Sequence, residues 1–114
     1  MEIRELEKEL LTNNQYLLAK LSEQRGLVEK AAQTEHNYRI ALASKMTTLR
    51  IEGNPVTIIP DLAKGDKKIA KLKLDRDVAS GVSDACREAI RAIQSTMSGI
   101  QSLISAYRAE MKLL

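Results

Sequence analysis

The chain has 114 residues, of which 44% are apolar but only 3% aromatic: three tyrosines, no Trp and no Phe. That length fits one domain. So few rings to stack bases count against RRM-type and OB-type nucleic-acid binders, and a β-sandwich loses its usual strand residues. One Cys and one His exclude a disulfide framework, a Cys-rich zinc site and most His-based metal sites. The net charge of +3 is mild but unevenly spread. Residues 1–52 carry eight basic and eight acidic side chains, residues 64–76 six against two, and residues 92–107 none of either sign.

From Ile3 to Ile51 there is no proline, one glycine (Gly26) and a predominance of helix formers. Apolar residues recur at Ile3, Leu6, Leu10, Leu17, Leu21, Val28, Ala32, Tyr38, Leu42, Met46 and Leu49, in steps of three, four and seven. This predicts one long helix over 3–51, with Gly26 as the weak point. The glutamates at 2, 5, 7 and 9 stand where the apolar stretch of a secretory leader would be, so no leader is expected. No run reaches the roughly 20 apolar residues of a membrane span, and a cytoplasmic location in a bacterial host cell is expected.

Glu52-Gly53-Asn54-Pro55 is helix-stop chemistry, with glycine at the C′ position and proline after it. The connector 52–66 follows. Its centre, Val56-Thr57-Ile58-Ile59 before Pro60, is β-branched and reads as extended, packing over the hairpin end, pairing with its two-fold mate or serving as a recognition edge. Residues 60–65 read as about one helical turn ending at Gly65. Asp66 is a candidate N-cap for Lys68 or Ile69.

A second helix is predicted over 67–112. Its apolar positions Val78, Val82, Cys86, Ile90, Ile93, Met97, Ile100, Ile104, Tyr107 and Met111 step first by fours and then alternate threes and fours. The run of fours reads as a local stutter in a coiled-coil pattern. Two helices of similar length joined by a short connector predict an all-α antiparallel helical hairpin as a single domain. One buried stripe per helix is thin for stability, so dimerisation into a four-helix arrangement is expected. Opposite the stripe of the second helix, Ser95, Ser98, Gly99, Ser102, Ser105, Ala106 and Ala109 form a small, neutral face. It is a candidate oligomer or partner interface. A core of aliphatic seams leaves no room for a ligand cavity.

Candidate chemistry is sparse. His36 has no nucleophile near it in sequence and reads as a surface residue. Cys86 lies on the apolar stripe and reads as a small hydrophobe. Asp75, Asp77, Asp84 and Glu88 could be a carboxylate cluster, but Arg76, Arg87 and Arg91 interleave, so ion pairing is the better reading. No catalytic, cofactor or metal site is expected. The strongest electrostatic feature is the basic cluster Lys64, Lys67, Lys68, Lys71, Lys73 and Arg76, a candidate contact for nucleic acid or an acidic partner.

Residues 38–110 also carry a resemblance. Tyr38-Arg39-Ile40-Ala41-Leu42-Ala43, Leu49-Arg50-Ile51-Glu52-Gly53-Asn54-Pro55-Val56-Thr57, Asp61-Leu62-Ala63-Lys64-Gly65-Asp66, Ile69-Ala70-Lys71-Leu72, Arg76-Asp77-Val78-Ala79, Glu88-Ala89-Ile90 and Tyr107-Arg108-Ala109-Glu110 resemble small helical proteins from the early regions of phages and prophages of Gram-positive bacteria. Residues 52–57 and 61–66 are its most specific parts. The resemblance implies phage origin among recombination and replication genes, and it supplies no catalytic residues. By analogy it implies a non-enzymatic protein that binds a nucleic-acid-processing protein, including inhibition of a bacterial defence nuclease. The alternatives are a nucleic-acid-binding accessory factor using the basic cluster, and a purely structural self-assembling protein.

Overall fold

The computed structural model describes residues 2–114 and is all-helical. Helix α1 spans Ile3–Ile51, α2 spans Ile59–Gly65 and α3 spans Lys67–Leu113. Together α1 and α3 make an antiparallel helical hairpin. Contacts divide it into two units: Met1–Arg25 with Asp84–Leu114, and Gly26–Ser83. Helix α1 runs without interruption through Gly26.

Each long helix carries a heptad-spaced buried stripe. On α1 a stripe withdrawn from solvent runs Ile3, Leu6, Leu10, Asn13, Leu17, Lys20, Gln24, Leu27, Ala31, Thr34, Tyr38, Ala41 and Lys45 in alternating steps of three and four, with Asn14, Glu35, Leu42 and Met46 half-buried beside it and Leu49 buried at its end. On α3 they run Ile69, Leu72, Arg76, Ala79, Ser83, Cys86, Ile90, Ile93, Met97, Ile100, Ile104 and Tyr107, in the same alternation. Within each unit, that alternation keeps the contact between the two helices on one stripe.

This seam corrects the sequence reading at two places. On α3 there is no stutter, because the seam continues N-terminally from Cys86 through Ser83, Ala79 and Arg76. Val78 and Val82 are 55% and 46% exposed. A step of four advances about 40° around a helix, so two such steps back from Cys86 carry a side chain off the contact line. On α1, Leu21 and Val28 are exposed at 43% and 45%, and Ala32 is exposed too. Lys20 and Gln24 take the seam positions, where long stems can lie along the partner with their polar ends outward.

In the unit Met1–Arg25 with Asp84–Leu114, the core is a cluster of Leu6, Ile100 and Ile104, with Leu10 and Tyr107 packed against it. Leu6 is almost fully buried, and Arg108 reaches across to Glu7 at 3.4 Å. In the unit Gly26–Ser83, Leu49, Ile59 and Ala63 form the second cluster, backed by Leu42 and Met46.

The connector shows how local chemistry sets the helix ends. Gly53 adopts φ +89°, a conformation that side chains with a Cβ rarely accept. The Gly53 amide donates to the Arg50 carbonyl at 3.0 Å and the Asn54 amide to the Leu49 carbonyl at 3.2 Å. This is the Schellman pair that closes a helix C-terminus. The Asn54 side-chain amide adds a second bond to the Leu49 carbonyl at 2.9 Å. At the other end Asp66 caps α3 as its sequence predicts: one carboxylate oxygen accepts from the amides of Lys68 (3.1 Å) and Ile69 (3.2 Å).

Between these ends the expected extended segment is absent. Residues 56–58 form a turn, with the Ile58 amide bonded to the Pro55 carbonyl at 3.1 Å, and Ile59 opens α2 with Pro60 in its first turn. A lone strand here would have no ladder partner for its backbone groups, whereas the helical turn pairs them and places Ile59 on Leu49 and Ala63. Ile59 is 4% exposed, while Val56 and Ile58 remain at the surface.

Candidate functional site

The basic cluster is divided by the fold. Arg76 occupies a seam position, with its guanidinium carbon 4.5 Å from the centre of the Tyr38 ring. It also pairs with Asp77 at 2.8 Å and with Glu35 at 3.4 Å. The Asp77 hydrogen bond leads the effects that hold the Arg76 pKa above its ordinary value. This side chain joins α3 to α1 and is not offered to a ligand. Lys71 is bonded to Asp75 at 2.6 Å. Lys64, Lys67, Lys68 and Lys73 are exposed and have no ion pair among the described residues. Lys67 and Lys71 share one face of α3 at i, i+4, whereas Lys73 lies on the opposite side of the helix.

Asp66, beside this cluster, is half-exposed, and its carboxyl is held below the usual carboxylate range. The Ile69 amide is the main cause, with Lys45 at 3.5 Å adding a favourable charge. That is capping chemistry, and nothing about it needs a substrate.

The four acidic residues of the candidate carboxylate cluster are each paired: Asp75 with Lys71, Asp77 with Arg76, Asp84 with Arg87 at 3.7 Å and Glu88 with Arg91 at 3.2 Å. No group of three or more metal-ligating side chains forms among the described residues. Cys86 is buried, its thiol 3.6 Å from the Lys20 carbonyl, and His36 is exposed on α1.

The neutral face Ser95, Ser98, Gly99, Ser102, Ser105, Ala106 and Ala109 is exposed throughout in the single chain. The Ser102 hydroxyl donates back to the Ser98 carbonyl at 3.1 Å, which satisfies it locally. Leu103, beside this face, is 52% exposed.

One surface feature was not legible in the sequence. In the unit Gly26–Ser83, Leu27, Lys30 and Thr34 of α1 and Lys71, Leu74, Asp75, Val78, Ala79 and Val82 of α3 line an open groove of about 530 Å³. Aliphatic seams do therefore leave a recess, although an open one. Its floor is shallow because α3 presents only Ala79 to the seam there, and its rim is built from the valines displaced from the contact line. A smaller recess of about 220 Å³ lies at the connector, between Met46, Arg50, Val56 and Ile59.

No protein-family model, curated protein or solved structure matches the chain. No helix among the described residues is long and apolar enough to cross a membrane.

Proposed function

We propose that this chain is a non-enzymatic, phage-type interaction protein that self-associates and binds a nucleic-acid-processing protein, with inhibition of a bacterial defence nuclease as one form of that role. The observation that carries the reading is the apolar groove of the unit Gly26–Ser83. Leu74, Val78 and Val82 stand half in water on a helix whose seam is already satisfied, and such contiguous apolar surface marks contact with another molecule. The nucleic-acid-processing class of the partner rests on the resemblance across residues 38–110. A unit with ten basic and seven acidic side chains does not imitate DNA, which favours engagement of the target away from a basic DNA-binding cleft.

The test is affinity capture from bacterial lysate with identification of the bound protein by mass spectrometry. Recovery of a nucleic-acid enzyme that is lost with Val78→Glu is the expected result. Recovery of this chain alone counts against the reading. Self-association is tested separately by Ser102→Cys cross-linking. Because Cys86 is buried, the new thiol is the reactive one, and failure to trap a dimer removes residues 95–109 as the interface.

A second reading, a nucleic-acid-binding accessory factor, is favoured by Lys64, Lys67, Lys68 and Lys73, which have no ion pair among the described residues. Such contacts would be electrostatic, so affinity for duplex DNA should fall steeply with salt. Affinity that ignores salt excludes it.

A further inference from the structure

We infer that the groove walled by Leu27 and by Leu74, Val78 and Val82 is the docking site for an acidic amphipathic helix presented by a partner protein, an inference that rests on the interaction-protein reading above. The shape argument comes first. Leu74, Val78 and Val82 are spaced i, i+4, i+8 and form one ridge on α3, with exposures of 55%, 55% and 46%. Beside a ridge of that kind, the furrow between two packed helices accepts the side chains of a third helix. Two of the three ridge residues are β-branched, which is unfavourable for a helix, yet about half of each stands in water.

The charge argument selects the occupant. Lys30 stands on the α1 wall with no ion pair among the described residues, and Lys71 stands on the α3 wall. The one acidic residue of the lining, Asp75, is already bonded to Lys71 at 2.6 Å. One turn toward the start of α3, Lys67 adds another unpaired cation. Lys71 and Asp75 offset each other, so the net positive charge around the apolar floor comes from Lys30 on the wall and Lys67 beside it. A second copy docking through the same face would oppose lysines to lysines, which costs affinity. A flat anionic bilayer does not fill a concave furrow. A helix with leucine or valine on one side and carboxylates flanking them satisfies both the floor and the walls.

The experiment uses the full chain and two labelled synthetic peptides of about 20 residues, long enough to form a helix on binding. Both carry leucines along one face; one has Glu on the flanks and the other Lys. Binding is followed by fluorescence anisotropy. The Glu peptide should bind at least about tenfold more tightly than the Lys peptide, and more weakly as salt rises. Val78→Glu should remove most of that binding, while Leu18→Glu, at a similarly exposed leucine of α1 outside the groove, should leave it unchanged. Lys30→Glu with Lys71→Glu should invert the peptide preference. Circular dichroism of each variant separates lost binding from lost fold. Equal binding of the two peptides, or no effect of Val78→Glu, overturns the inference. So does a concentration-dependent dimer in sedimentation that Val78→Glu abolishes, because a second copy then fills the groove. So does binding to anionic vesicles without binding to the Glu peptide. If the peptide preference fails while lysate capture still yields a partner, only this inference falls. If the preference holds and no partner is captured, the proposed function falls instead.

Discussion

The two units follow the same heptad rule with different residues, and the difference separates what holds the chain together from what it displays. In the unit Met1–Arg25 with Asp84–Leu114, the seam of α3 is Ile90, Ile93, Met97, Ile100 and Ile104, and charges balance at eight of each sign. In the unit Gly26–Ser83, the α3 seam passes through Arg76, Ala79 and Ser83, and an excess of three basic side chains carries the whole net charge. Large aliphatics on the contact line make a core. Small and polar ones leave the neighbouring valines outside, and a groove forms. An identical spacing can thus serve stability in one place and exposure in another.

The comparison is best broken at its core. Ile104→Ala should destabilise the chain by about 2–5 kcal/mol, the usual cost of emptying a buried aliphatic site, read as a lower thermal midpoint. Tyr38→Ala should cost about 3 kcal/mol by the same measurement, since it removes a buried ring and strands Arg76 on the seam. Gly53→Ala should cost about 1 kcal/mol, because φ +89° strains any residue with a Cβ; chemical denaturation would show it. Asp66 gives a smaller, pH-dependent effect. Its folded-state pKa is lowered, so its stabilisation is fully present above the unfolded value near 3.8 and is lost as pH falls through the folded value. Thermal scans from neutral to acid pH should therefore converge for the native chain and Asp66→Ala. A constant gap between them would show that the carboxylate charge is irrelevant to the cap. Least of all, Val78→Ala should change stability by no more than about 0.5 kcal/mol, since the side chain has little to lose within the chain. A loss as large as that of Ile104→Ala would place Val78 in a core and dissolve the distinction between the units.

Much of the fold was legible in the residues. The ends of α1 and α3, the glycine stop at Gly53 and the cap at Asp66 all follow from chemistry confined to a few neighbouring positions. The ion pairing of Asp84 and Glu88 and the burial of Cys86 were equally open to sequence reasoning. The candidate site was less so. The basic cluster reads as one patch along the chain, yet the fold turns Arg76 onto Tyr38, ties Lys71 to Asp75 and sets Lys73 apart from Lys67. A sign was present in hindsight: Arg76 continues the three-four spacing back from Cys86 through Ser83 and Ala79, but a search for apolar periodicity passes over an arginine.

By itself, then, the amino-acid sequence determined two long helices, their termini and their antiparallel return, because helix propensity, capping and chain-stopping residues act over one turn or less. Only the tertiary structure decided where the buried stripe of α3 runs before Cys86, that residues 56–58 form a turn and Ile59 opens a helix in place of an extended edge, and that Leu74, Val78 and Val82 stand exposed beside a groove. Those choices depend on what the opposite helix brings to each level. Arg76 over Tyr38 and Ser83 on the contact line fit the fixed geometry of two helices in contact, and more hydrophobic neighbours a quarter turn away do not.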